Sequence, residues 1–213
     1  MKKIESNHIS KWRIYGETMI SQWIIVIIFL AYWFWTKRSF KDLFSFKNPI
    51  FSFQTEFLIA LGLGVGLSIV MFVLIISFSK TIRKKVSEAL TDESIQFLLP
   101  TTLGERLFFL LIAITAGVCE EIIFRGVMLY YLSHLQFELS IIVIGIISSL
   151  LFGIVHLYQG WKGVFLTSYL GAVLFFLFVG TGYLLVPIVL HFLIDAKFVF
   201  LPNKKTLKKN NSL

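Results

Sequence analysis

A chain of 213 residues that is 57% hydrophobic, with 23 Phe and only 15% charged residues, lacks the charge to cover a water-facing surface, since soluble domains carry about 25% charged residues. The net charge of +8 does not point to nucleic acid. The Lys and Arg flank apolar runs, at Lys80 to Lys85 and from Lys204 to Lys209, where membrane topology and anionic headgroups account for them.

A spanning helix needs about 20 mostly apolar residues, because hydrocarbon leaves every backbone polar group to be satisfied internally. Six stretches meet that requirement, roughly 19–36, 57–78, 107–131, 139–158, 164–180 and 183–201. The first follows a polar N-terminal stretch with no small-residue cleavage site, which makes it a retained helix. In the second, Gly62 and Gly66 form a small-xxx-small pair suited to close helix approach. Val86 to Leu99 mixes apolar and acidic residues before Pro100, as an interfacial or re-entrant piece would. Aromatics near the span ends, among them Trp33, Trp35, Tyr130, Tyr131, Tyr158, Trp161 and Tyr183, fit interfacial belts. The expected fold class is all-α, a polytopic transmembrane helix bundle of about six spans. Residues 1–100 would hold two N-terminal spans, 101–201 the helical core and 202–213 a basic tail. The basic N-terminus, the 79–106 loop and the tail place both termini in the cytoplasm, although Lys37, Arg38, Lys41 and Lys47 lie in a loop expected outside.

Glu120, Glu121, Arg125, His156, His191 and Asp195 all fall within these apolar spans. Each costs about 2.5–3.5 kcal/mol at bilayer depth on insertion scales, so six in three helices need a reason. Residues four apart share a helix face. Glu121 can therefore pair with Arg125, Glu120 lies over Phe124, Phe152 over His156, and His191 over Asp195, with Pro187 one turn earlier. Three polar faces can thus converge on one cavity. Glu121–Arg125 reads as a neutralising pair, Cys119 as a packing residue, and Ser148 and Ser149 as helix-packing residues. His8 and His134 receive no role.

The chemistry narrows by exclusion. There is no HExxH helix, only one intramembrane Asp for an aspartic dyad, and no GxSxG elbow. Glutamate with histidine remains, a combination suited to activating water, with Glu120 as general base.

Glu120-Glu121-Ile-Ile-Phe-Arg125-Gly126, Phe152-Gly-Ile-Val-His156 and His191-Phe-Leu-Ile-Asp195 together resemble the three motifs of the CPBP intramembrane proteases. This group, also called the Abi family, includes the Rce1-type CAAX prenyl endopeptidase. The flanks agree, with Ser148-Ser149-Leu-Leu-Phe-Gly before His156 and Thr181-Gly182-Tyr-Leu-Leu-Val-Pro187 before His191. The resemblance covers about residues 101–200 and leaves the first two spans outside. It implies a membrane hydrolase in which Glu120 and His156 activate a water, His191 and Asp195 stabilise the oxyanion, and Glu121 and Arg125 support the site. Where the last motif often ends in Asn, this chain has Asp195, which must be protonated or must orient His191. No cofactor is required by this reading, and zinc is the alternative, since two His and two carboxylates could bind it. The expected partners are membrane lipids and a membrane-associated peptide, with no nucleic acid. An immunity protein against peptide toxins and a transporter or proton relay are the competing functions.

Overall fold

The computed structural model describes residues 11–46 and 98–200, with the isolated positions 71, 79 and 81. The expected 57–78 span, its Gly62 and Gly66, nearly all of the 86–99 piece, His8 and the basic tail lie outside the described residues.

Every regular element among the described residues is helical. α1 (Lys11–Trp35) is followed by the short α2 (Phe40–Phe44). α3 (Leu103–Glu121) runs through a π-helical segment (Ile122–Val127) into α4 (Met128–Ser133), making one helix of 31 residues. α5 (Ile141–Ile154), a 3-10 turn (Leu157–Gln159), α6 (Gly160–Thr181) and α7 (Leu185–Ala196) complete the set, before a closing 3-10 turn (Lys197–Phe200). The starts of three helices are written in their caps. Ser39 accepts from Asp42 N and Ser140 from Val143 N, while Thr102 and Glu105 form a reciprocal capping box.

α1 packs on α3, α7 on α3, and α5 on α6. Tyr15, Val26 and Trp33 are the buried residues of α1, and their spacing of eleven and seven defines one stripe along the helix. α1 and the residues just after it follow the 103–133 helix along its length through three side-chain contacts. Lys11 pairs with Glu105 at 3.1 Å, Gln22 reaches Glu120 at 2.8 Å, and Arg38 donates to the Tyr130 hydroxyl. Below them, the Tyr15 hydroxyl donates to Leu98 O. At the other end, the backbone forms a clasp. Phe46 N donates to Gly182 O at 3.0 Å and Leu184 N to Phe44 O at 3.1 Å, around an antiparallel Ser45–Tyr183 bridge.

The outer faces are apolar. Ile20, Ile24, Ile27 and Ile28 of α1, Ile142, Ile146 and Leu150 of α5, and Phe165 and Tyr169 of α6 are all exposed. Patches of that extent would drive association in water, whereas lipid tails solvate them at no cost. Lys11–Trp35, Leu103–Ser133 and Leu157–Thr181 are each long and apolar enough to cross a membrane. The chain is an all-α membrane helix bundle.

The span expected over 19–36 begins already at Lys11, the one expected over 107–131 extends over Leu103–Ser133, and three further spans differ from expectation. The helix expected over 139–158 is only Ile141–Ile154, because His156 N bonds Gly153 O and Gln159 N bonds His156 O, tightening the ladder to i→i+3. Its 14 residues rise about 21 Å, short of the roughly 30 Å hydrocarbon core. The next helix starts at Gly160 rather than 164, and the last runs over Leu185–Ala196 rather than 183–201.

Candidate active site

Glu120 and Glu121 stand in the last turn of α3, immediately before the π-helical segment. There the amide of Met128 bonds the carbonyl of Ile123, five residues back. Such single-turn bulges widen the helix and frequently mark functional sites. Ser148 of α5 donates to the Phe124 carbonyl of this segment at 3.2 Å, so the serine does serve packing, and at a specific acceptor.

α7 is brought against this turn by Gly117. A Cβ there would come within 3.1 Å of both Ile188 O and Phe192 N, so glycine lets the two backbones pass this closely without either giving way. The crossing presents His191 to the two glutamates one turn further along α3. Gly153 acts likewise between α5 and α6, since its Cβ would lie 2.6 Å from Val164 O. Three residues later comes His156.

Glu121 and Arg125 are fully buried and pair at 3.0 Å, as their spacing predicts. The structure adds what spacing does not disclose. Glu121 Oε1 also accepts from His191 Nδ1 at 2.8 Å, and Arg125 Nη2 donates to Gly171 O on α6 at 2.8 Å. Arg125 further lies over the Phe152 ring, 4.5 Å from its centroid. The pair expected merely to neutralise itself therefore ties α3, α6 and α7 together and holds an imidazole.

His156 stands beyond the end of α5, not on its face. Its Nδ1 lies 2.7 Å from Phe152 O, and since a carbonyl only accepts, Nδ1 carries the proton. His191 Nδ1 meets a carboxylate and donates in the same way. Both rings thus have Nδ1 occupied and turn Nε2 toward Glu120 Oε2, at 3.8 Å from His156 and 4.0 Å from His191. Glu120 Oε1 accepts from Gln22, whereas Oε2 is buried and has no hydrogen-bond partner in the protein. Asp195 Oδ2 lies 3.6 Å from His191 Nε2, with its side chain 29% exposed, so the cluster is not sealed on that side.

All six polar residues singled out in the spans are therefore brought together. Gln22 is the one the sequence reading missed. Its signal was present, for it lies on the Tyr15, Val26, Trp33 stripe of an otherwise apolar span. Cys119 is buried in the core and free.

Two imidazoles and two carboxylates are donors that zinc accepts. Their separations of 3.6–4.0 Å exceed the ligand–ligand edge of about 3.4 Å implied by tetrahedral zinc bonds near 2.1 Å. Among the described residues, no three His, Cys, Asp or Glu are arranged to hold one ion.

Residues 102–196 match the family model described as type II CAAX prenyl endopeptidase, Rce1-like. This segment resembles the Rce1-like family. It contains Glu120, Glu121, Arg125, His156, His191 and Asp195, and it leaves α1 outside. No curated protein and no solved structure gives a significant match to the chain. The Rce1-like assignment and the apolar helices together support a membrane protein with protease activity.

Proposed function

We propose that the chain is a multi-pass intramembrane endopeptidase that hydrolyses membrane-associated peptides with a water activated by Glu120 and His156. One observation carries this reading. Glu120 presents a buried carboxylate oxygen with no partner in the protein to two imidazole Nε2 atoms, at 3.8 and 4.0 Å. Polar atoms separated by more than 3.5 Å are commonly bridged by water, and a water at this position would meet a base and an orienting acceptor together.

In the proposed reaction, the water oxygen attacks the scissile carbonyl carbon while its proton passes to Glu120. The carbonyl oxygen becomes an oxyanion beside His191 Nε2 and Asp195. Collapse of the tetrahedral intermediate breaks the C–N bond, and Glu120 returns the proton to the leaving amine. Glu121 would hold His191 in place from the far side of the ring, leaving Asp195 at the oxyanion rather than behind the imidazole. The 1–100 and 101–201 portions would work as one unit, because α1 reaches into the cluster.

The test compares membrane and secreted peptides from cells carrying wild type or Glu120→Gln, alongside turnover of a quenched fluorogenic prenylated peptide by purified protein. Glu120→Gln is expected to abolish cleavage while abundance and membrane insertion stay unchanged. Wild-type turnover by that variant would remove the general base and with it the mechanism.

A further inference from the structure

We infer that Gln22, on a helix outside the Rce1-like segment, is a positioning residue that holds the Glu120 carboxylate in its working orientation. The inference rests on the endopeptidase reading and extends the site to a residue of the N-terminal span.

The side-chain amide of Gln22 donates from Nε2 to Glu120 Oε1 at 2.8 Å, across 98 positions of sequence. This bond divides the carboxylate. Oε1 is anchored, and Oε2 is the oxygen left for the two histidines. The last torsion of a glutamate side chain is broad and roughly two-fold, so without an anchor the carboxylate plane turns freely. Gln22 Oε1 is itself buried with no hydrogen-bond partner. A buried amide left half-satisfied is costly, and packing alone would favour an apolar residue here. The donor end faces the carboxylate, since the opposite orientation would set the amide oxygen against a carboxylate oxygen.

Position 22 is also fixed from both sides. Toward the N-terminus, Lys11 pairs with Glu105 and the Tyr15 hydroxyl donates to Leu98 O. Toward the C-terminus, Val26 and Trp33 are fully buried and the Trp33 ring lies 4.8 Å from that of Tyr130. α1 cannot slide without breaking these contacts, so the amide is delivered to Glu120 by a pre-set helix.

The experiment uses the full-length protein and the quenched fluorogenic prenylated peptide in lipid vesicles. Gln22→Met keeps the length and bulk of the side chain and removes the donor. A hydrogen bond to a charged group is worth enough that kcat should fall about 10- to 100-fold, with KM and the melting temperature within error of wild type. Gln22→Asn keeps the amide but withdraws it by one methylene, and it should lose kcat to a similar extent. In a double-mutant cycle, Glu120→Asp retracts the carboxylate from Gln22. Adding Gln22→Met to Glu120→Asp should therefore cost little further activity. Wild-type kcat in Gln22→Met, or a loss that tracks a lowered melting temperature and is fully additive with Glu120→Asp, would overturn the inference. Inactive Glu120→Gln beside fully active Gln22→Met would sink the role of Gln22 alone. Active Glu120→Gln would sink the endopeptidase mechanism itself.

Discussion

Glu121 is the residue whose part changes most once its surroundings are known. Spacing pairs it with Arg125, and it also accepts the His191 Nδ1 proton. Glu121→Gln removes the charge opposite a fully buried Arg125, and breaking a buried pair in this way typically costs about 3–5 kcal/mol. The variant should melt well below wild type in detergent. Glu121→Leu should in addition lose turnover, because it offers no acceptor to hold the His191 Nδ1 proton. Full turnover at a lowered melting temperature would mean that Glu121 does not position His191. Asp195 poses a different question. As an oxyanion partner it needs hydrogen bonding rather than charge, so Asp195→Asn should keep substantial activity. Asp195→Leu should fall by roughly 10²–10³, the usual cost of one oxyanion donor. A zinc ligand would behave otherwise, since an amide is a much poorer donor to a dication. Elemental analysis and turnover with and without chelator separate the two, and stoichiometric zinc lost together with activity in Asp195→Asn would overturn the metal-free mechanism.

Among the elements, the junctions set the site more than the helices do. The convergence of the six ionisable residues was legible in the sequence, because charges are expensive in an apolar span and two pairs of them lie four residues apart, although the helix expected to present His156 ends at Ile154. The π-helical turn at Ile122–Val127 was not legible. Its backbone hydrogen-bond register leaves no mark on apolar periodicity over so few residues. The break after Ile154 was hidden for a similar reason, as Val155 and Leu157 continue the apolar run through the turn. Gln22 was present on a readable stripe, yet an uncharged polar residue in a span carries a much weaker signal than a glutamate. These junctions yield a test. Gly153→Ala puts a methyl 2.6 Å from Val164 O, so α5 and α6 must separate. His156 follows three residues later, and a displacement near 1 Å can cost about 10² in rate. Gly153→Ala should therefore lower kcat by about that factor while the protein still inserts. Unchanged kcat would show that His156 is positioned independently of the α5–α6 crossing.

At the scale of the whole molecule, the charge pattern leads us to propose that both termini face the cytoplasm. The awkward basic loop after α1 has a partial structural answer. Arg38 lies over the rings of Trp33, Tyr130 and Tyr131, at 4.4–5.8 Å from their centroids, and donates to the Tyr130 hydroxyl. A guanidinium held this way is a bound cation in an aromatic setting. Compartment reporters fused at residues 1 and 213 should give the same cytoplasmic signal, and opposite signals would require an odd number of spans.

The clasp between Phe44–Phe46 and Gly182–Leu184 has a further consequence for how the chain tolerates change. Residue 46 is pinned to Gly182 O, and residue 98 to the Tyr15 hydroxyl. The first of these anchorages is made of amides and carbonyls, which any residue but proline supplies at the donor. Substitution at Phe46 or Leu184 by any residue but proline should thus keep the clasp, whereas a single residue added between Gln22 and Trp33 would rotate the Gln22 amide by about 100° relative to the Trp33 end of α1.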